Sequence, residues 1–327
     1  MGIKITGTGS YTPEKVLTNA DLEKLVDTSD EWITTRTGIK ERRIAEDNQG
    51  TVFMGTKAAE KALEMANIAA EDIDLIVFGT VTPDFLLPTN ACLIQKNLKI
   101  KNSACFDFQA ACSGFIYGLE MVTSMMKGNL RYKNALLICG EKLSSVTDWT
   151  DRNTCVLFGD AAGAVVLSKT REYGDTLISS TIHADGTHAD LLEIPGGGSL
   201  NPLTSENVND HLHCIRMAGN KVFKLAVTAM VKASKDAMEL AHVKQNEIKW
   251  LIPHQANMRI MTAVADRLGF EVERVPVNLT RHGNTSAASI VLSLDEYVRA
   301  DKISPGDKLL LTAFGGGMTW GATVLEW

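Results

Sequence analysis

No two cysteines in this chain are spaced C-x-x-C. The six present (Cys92, Cys105, Cys112, Cys139, Cys155 and Cys214) lie mostly inside apolar runs. That pattern argues against a disulfide framework or a thiolate zinc site and fits a reducing compartment. A basic surplus is missing too. Thirty-three Lys and Arg stand against 39 Asp and Glu, a formal net charge of −6. No general affinity for nucleic acid follows, and an acidic partner would need a local basic patch. No stretch approaches the ~18 consecutive apolar residues of a membrane span. The opening M-G-I-K-I-T-G-T-G-S has no apolar core of the kind a signal peptide needs. The expectation is a cytoplasmic protein that neither crosses nor binds a membrane. With 45% hydrophobic and 22% charged residues in 327, it reads as a globular chain of one large or two medium domains.

Short Val/Ile/Leu runs mark buried strands at Leu75–Phe78, Ala135–Cys139, Ala164–Leu167, Trp250–Ile252, Leu309–Leu311 and Ala322–Leu325. Amphipathic stretches at 52–66 and 219–241 lie between them. Continuous apolar strands alternating with helices indicate an α/β protein whose mostly parallel sheet is covered on both faces. The chain also repeats itself. Asp72-Ile73-Asp74-Leu75-Ile76-Val77 resembles Glu247-Ile248-Lys249-Trp250-Leu251-Ile252, 175 residues on, and the strand at Ala135 matches that at Leu309. A duplicated unit is expected, with halves 1–170 and 171–327.

Cys112 is the candidate nucleophile. A short apolar run, Ala104–Phe108, precedes it, and Phe115, Ile116, Leu119, Val122 and Met126 follow at helical spacing. A cysteine at such a strand-to-helix turn meets unpaired N–H groups and a helix dipole that favour the thiolate. Free cysteine is also among the most buried residue types and often only fills space. Under the duplication, Cys112 faces the 284–288 turn. The second half offers His254 just after a strand, where such sheets present chemistry, then Asn284, then the glycines of Phe314-Gly315-Gly316-Gly317. Taken singly, these read equally well as a core histidine, a helix cap and a tight bend.

Four motifs, Q-A-A-C-S-G-F, I-P-H-Q-A-N-M-R-I, H-G-N-T-S-A-A-S and F-G-G-G-M-T-W-G, occur in that order. They are joined by T-S-D-E-W-I-T-T-R-T-G-I at 28–39 and F-G-D-A-A-G-A at 158–164. Together they resemble the beta-ketoacyl-[acyl-carrier-protein] synthase III family of thiolase-like condensing enzymes. The resemblance implies a five-layer αβαβα thiolase fold, a homodimer, and a role in starting bacterial-type fatty acid synthesis. It makes Cys112 the acyl-accepting nucleophile, with His254 and Asn284 completing the site. The primer is an acyl-CoA, with acetyl-CoA expected, and the extender is malonyl-[acyl-carrier-protein].

The expected chemistry suits these residues. Cys112 displaces CoA from the thioester and holds the acyl group, with the N–H groups of Cys112 and Gly316 as the oxyanion hole. Loss of CO₂ from the malonyl group then generates the carbanion, so no base need remove a C–H proton. Neutral His254 and the Asn284 amide are N–H donors for the enolate oxygen. No metal or resident cofactor is expected, because acyl-CoA is a substrate.

Thr28 and Glu31 form a capping-box pattern opening a helix that stops at Gly38, with Trp32 and Arg36 on one face. The resemblance places Trp32 and Arg152 about the CoA adenine, Thr28 and Arg36 nearby, and Asn257 along the pantetheine tunnel. Lys224 and Arg259 are expected to dock the acidic carrier protein, with Gln255, Ala256, Asn257 and Met258 at the mouth. Leu87 stands where a phenylalanine is common at the family's acyl-pocket wall, which points to primers larger than acetyl; Phe314 is also assigned to that pocket. The Gly/Pro/Asn-rich segment from Ile194 to Cys214 reads as a surface loop. The competing readings are a relative making a polyketide or alkylquinolone starter, a Cys-His-Asn thioester hydrolase, and a non-catalytic subunit of the same fold.

Overall fold

A computed structural model describes residues 2–171 and 174–327. Its main strands are β1 (Gly2–Tyr11), β2 (Leu75–Gly79), β3 (Ala104–Phe108), β4 (Asn134–Glu141) and β5 (Ala161–Thr170) in the first half. In the second they are β6 (Leu177–Ala184), β7 (Ile248–Pro253), β8 (Lys308–Gly315) and β9 (Thr319–Glu326). The longer helices are α1 (Asp30–Thr37), α2 (Thr51–Ala66), α3 (Asn90–Asn97) and α4 (Gly114–Gly128), then α5 (Gly219–Leu240), α6 (Met258–Leu268) and α7 (Ala288–Arg299). The first sheet runs β1-β5-β4-β2-β3 and the second β6-β9-β8-β7. The two orders coincide when β1 is matched to β6, β5 to β9, β4 to β8 and β2 to β7.

The layers follow from alternation along the strands. Leu75 and Val77 of β2 pack against α4, while Ile76 and Phe78 point to the other face, against α2 and α3. In β8, Leu309 and Leu311 join the same central cluster, and Leu310 and Phe314 face α5 and α6. Helices α4 and α7 therefore lie between the two sheets, and the remaining pairs cover the outside, giving five layers, αβαβα. The sheets are mixed rather than mostly parallel, since only β2–β3, β2–β4 and β7–β8 pair in parallel; both faces of each are covered, so the strands still read as continuous apolar runs.

Three local features differ from the sequence reading. Strand β3 is half-buried rather than buried, because it is the edge of its sheet and pairs only with β2. The cap of α1 is Ser29, whose hydroxyl accepts the Trp32 N–H at 3.1 Å, one residue later than the Thr28 box. Gly38 does end that helix, at φ 80°. The 194–214 loop is closed at its base by a short ribbon pairing Leu192–Glu193 with Arg216–Met217, and its Leu200 is almost fully exposed. Among the described residues, no helix is long and apolar enough to cross a membrane.

Leu119 on α4 is fully buried between the sheets. Leu119→Ala should lower unfolding stability by about 2–5 kcal/mol in a denaturant titration. A loss well under ~1 kcal/mol would contradict the packed central layer.

Candidate active site

The ends of the strands in both halves converge on Cys112. Residues Ala111–Ser113 form a single tight turn between β3 and α4. Ala111 is held at φ 43°, and its counterpart 175 residues on, Ser286 before α7, is held at φ 52°. Left-handed backbone at a non-glycine residue persists only where surrounding structure over-determines it. Here hydroxyl bonds clamp the turn. Ser113 Oγ lies 2.7 Å from Thr319 Oγ1, and Thr319 Oγ1 donates to the Ala110 carbonyl at 2.9 Å. Gly315, at the end of β8, passes so close that a Cβ there would stand 2.6 Å from the Cys112 nitrogen.

Cys112 lines two cavities. The outer one, about 760 Å³, runs from Trp32, Arg36, Asn153, Lys224, Asn257 and Arg259 at its mouth to His254, Asn284 and Phe314. The inner one, about 410 Å³, lies on the other side of the thiol. Its apolar wall is Val81, Leu143, Phe158, Leu192, Ile194 and Ile215, and Ser286 and Gly316 reach it as well.

His254 and Asn284 are both buried and both oriented by their neighbours. His254 Nδ1 lies 2.8 Å from Ser289 Oγ, and that oxygen also accepts the Gln255 N–H at 3.2 Å. Ser289 Oγ can donate to Nδ1 while accepting the Gln255 N–H, and in that arrangement the ring proton sits on Nε2. Burial holds the His254 pKa down to about 3, so the ring is neutral. Asn284 Oδ1 accepts the Ser286 N–H at 2.9 Å, leaving the Nδ2 amide as the group free to donate.

Burial works against whatever the thiol gains from its position at a helix start. Burial pushes Cys112 up to about 11; a hydrogen bond from Ser286 opposes this, and the nearby Glu141 carboxylate adds to it. Glu141, at the end of β4, is fully buried. It accepts from Thr80 Oγ1 (3.0 Å), Thr82 Oγ1 (2.7 Å), Val81 N (3.1 Å) and Thr82 N (3.1 Å). Burial still raises it to about 7. The sequence signal for it was a single charge closing the apolar run A-L-L-I-C-G-E. The inner wall had no comparable signal, because Leu192, Ile194 and Ile215 arrive by a long loop return.

At the mouth, the Arg36 and Arg152 guanidinium carbons lie 4.9 and 4.5 Å from the centroid of the Trp32 indole. A base stacked between Trp32 and Arg152 needs roughly twice the ~3.5 Å contact distance. Arg152 must therefore swing out, away from Asp27 at 3.5 Å, to admit one. Thr28 is half-buried and does not line the outer cavity. Asn257 caps α6 by accepting the Arg259 N–H at 2.8 Å, and it donates to the Arg36 carbonyl at 3.2 Å. Arg259 sits over the Phe223 ring, and Lys224 is exposed beside it; Ala256 and Met258 are half-buried.

Three assignments need correction. Gln255 cannot dock a carrier protein. It is fully buried, and its amide bonds the carbonyls of Pro253 and Pro276 and the N–H of Asn278. Leu87 does not line either cavity. It is 84% exposed, in a segment where Phe85 and Leu86 also face outward. Phe314 lines the outer cavity rather than the inner one, stacked toward Trp320.

The family model for 3-oxoacyl-[acyl-carrier-protein (ACP)] synthase III matches residues 106–186, and the model for its C-terminal part matches residues 238–327. A beta-ketoacyl-[acyl-carrier-protein] synthase III from Caldanaerobacter subterraneus subsp. tengcongensis is 50% identical over 323 residues, 99% of this chain and 97% of the relative. The crystal structure of 3-oxoacyl-[acyl-carrier-protein] synthase III from Aquifex aeolicus superposes with a TM-score of 0.92 at 48% identity, covering 100% of both chains. A priming beta-ketosynthase from a polyketide biosynthetic pathway superposes with a TM-score of 0.91 at 32% identity, covering 99% of this chain and 96% of that one. Fold and site define an acyltransferase of the thiolase-like condensing class. Within that class, the chain belongs to the beta-ketoacyl-[acyl-carrier-protein] synthase III family, the condensing enzymes of fatty acid biosynthesis.

Because His254 is neutral, its ring signals in an NMR titration should stay constant from pH 8 down to pH 5. The native state binds fewer protons there than the unfolded chain, so His254 lowers stability as pH falls from about 6.5 toward about 3. A ring titration near 6.5 would contradict the buried, neutral assignment.

Proposed function

We propose that Cys112 carries the acyl group between two half-reactions that approach it through the same outer cavity. The observation that carries this reading is the position of the thiol at the junction of two cavities. One is long enough to bring a thioester in from the surface, and the other is lined mostly by apolar side chains. In the first half-reaction, Cys112 displaces CoA from the acyl-CoA. The acyl chain then lies in the inner cavity against Leu143, Phe158, Leu192, Ile194 and Ile215. The N–H groups of Cys112 and Gly316 receive the oxyanion.

In the second half-reaction, malonyl-[acyl-carrier-protein] occupies the outer cavity. Neutral His254, through Nε2–H, and Asn284, through Nδ2, stabilise the enolate oxygen as CO₂ leaves. Loss of CO₂ supplies the carbanion, so the chemistry calls on no resident cofactor or metal. Trp32, Arg36 and Arg152 hold the adenine end of CoA, with Thr28 behind them and Asn257 along the tunnel. Arg259 and Lys224 provide the positive rim on which an acidic carrier protein lands, flanked by Ala256, Asn257 and Met258. The primer is acetyl-CoA or a somewhat larger acyl-CoA, and the protein works in the cytoplasm.

We also propose a homodimer, a reading that two surfaces on the first half support. Strand β3 leaves one edge unpaired. Beside it, Phe85, Leu86 and Leu87 are 58, 92 and 84% exposed. The segment is tied to β3 through α3: Asp84 N–H donates to Asn90 Oδ1, and Asn90 N–H donates to Asp107. In a dimer formed along that edge, Leu87 would reach an acyl cavity only from the neighbouring copy. The polyketide-priming relative keeps the starter-unit reading open as a second choice of primer.

The two half-reactions can be assayed apart. Arg259→Glu should reduce turnover of malonyl-[acyl-carrier-protein] by roughly tenfold or more, as expected for loss of electrostatic steering. Its acylation by acyl-CoA should stay near that of the unaltered protein. Equal loss of both rates would remove Arg259 from carrier docking.

A further inference from the structure

Arg42 is fully buried, and it lines neither cavity. Burying a guanidinium is costly unless it is paired and hydrogen-bonded. Here every hydrogen bond ends on a neutral acceptor. Nη1 donates to the Leu17 carbonyl (3.2 Å) and to Asn19 Oδ1 (2.9 Å), and Nη2 donates to the Val156 carbonyl (2.7 Å). Nε has no partner. Burial lowers the group only to about 10, so it stays charged near neutrality. An apolar side chain would fill the same space without that penalty. The reason for an arginine therefore lies in what its fork holds.

Arg42 belongs to Glu41–Arg43, a short strand paired with Val16–Thr18. This ribbon touches both segments that meet at Asn284. The Lys40 N–H donates to the Thr280 carbonyl at 3.0 Å, and the Asp160 N–H donates to the Arg43 carbonyl at 2.8 Å. The two segments are also joined to each other. The Asn284 N–H donates to the Leu157 carbonyl at 2.8 Å, and the Gly159 N–H donates to the Asn284 carbonyl at 3.0 Å. Glycines stand where they cross. A Cβ on Gly283, held at φ 66°, would lie 2.8 Å from the Leu157 carbonyl oxygen and 3.1 Å from Arg42 Cβ. One on Gly159 would collide with the His282 carbonyl and lie 3.2 Å from Arg42 Cβ. The stem of Arg42 thus packs against the crossing. Its Nη2 fastens Val156, one residue before the carbonyl that holds Asn284.

We propose that Arg42 is a positioning residue for Asn284: it fixes the Val156 carbonyl and, through the Leu157 and Gly159 hydrogen bonds, the place from which the Asn284 amide meets the malonyl group. The planar fork suits this task, because it reaches Asn19 and Val156 at once, and a lysine ammonium is a single point charge. The Cys112 turn is held by other means, the hydroxyls of Ser113 and Thr319 and the close passage of Gly315. Helix α1, which carries Trp32 and Arg36, also keeps its own ties. Asn19 Nδ2 donates to Asp30 Oδ1 at 2.7 Å and to the Ile39 carbonyl at 2.8 Å, bonds that do not pass through Arg42. Arg42 therefore bears on the decarboxylating condensation far more than on acyl transfer from CoA.

The inference rests on the proposed role of Asn284 and is tested together with it. The full protein is acylated to completion with acetyl-CoA, and a single turnover with malonyl-[acyl-carrier-protein] is timed. Acylation is timed separately at saturating acetyl-CoA. Arg42→Met should slow condensation by roughly 10²-fold, the scale of a misplaced reacting group. Arg42→Lys keeps the charge but not the fork and should slow condensation by roughly tenfold. It keeps the test intact where Arg42→Met fails to fold. Acylation should stay within about twofold of the unaltered protein in both, since Asn284 takes no part in it. The deciding variant joins Arg42→Lys to Asn284→Ala. Its condensation should be no slower than that of Asn284→Ala alone, because the amide that Arg42 positions is gone. A further slowing in the double variant overturns the proposal, as does condensation at the normal rate in either single Arg42 variant. Equal slowing of both half-reactions overturns it too, since a merely structural role predicts this. Asn284→Ala that condenses at the full rate would instead remove the role given to Asn284, and the positioning with it.

Discussion

The close passage of Gly315 against the backbone of Cys112 is the contact on which the rest of the molecule depends. It is where the second half of the chain meets the first at the reacting atom. A Cβ at Gly315 would stand 2.6 Å from the Cys112 nitrogen, so only glycine lets β8 end there. That seam brings Gly316 to the cavity that Cys112 lines and fixes the turn through Thr319 and Ser113. It also sets His254 and Asn284, which belong to the second half, in one cavity with Cys112 of the first. The duplicated architecture thus serves the chemistry directly: each half presents strand ends, and the site is the place where they abut.

Burial at that seam decides the protonation states. It neutralises His254, which suits a hydrogen-bond donor to an enolate and disqualifies a base. It raises Cys112, which suits a holder of acyl groups more than a free thiolate. And it raises Glu141 toward neutrality even though threonine hydroxyls and backbone N–H groups bond its carboxylate. One physical effect, desolvation, moves all three groups toward their neutral forms.

Much of this was legible in the chain. The strands appeared as apolar runs because both sheet faces are covered, and the offset of 175 between Ala111 and Ser286 reappears as a shared left-handed conformation. Cys112, His254 and Asn284 could be picked out because each follows a strand or opens a helix. What escaped notice is long-range. Gln255 sits in a docking-like motif, yet its amide is spent on the carbonyls of Pro253 and Pro276. Leu87 reads as pocket wall but lies exposed on the chain's surface and lines neither cavity. The inner wall depends on where a loop of some twenty residues returns, and sequence periodicity says nothing about that. The Thr28 cap was off by one, since Ser29 offers the same hydroxyl one residue closer to the helix.

The central claim is that Cys112 is a covalent acyl holder discharged by carbon–carbon bond formation. The direct measurement is a chase. The protein is exposed to acetyl-CoA, freed of CoA, and treated with malonyl-[acyl-carrier-protein] while the mass of the Cys112 peptide and the release of CO₂ are followed. The account predicts one acyl group on Cys112, lost in step with CO₂ and recovered as the 3-oxoacyl group on the carrier. Acyl groups on another residue, or loss of the group as free acid without CO₂, would contradict it.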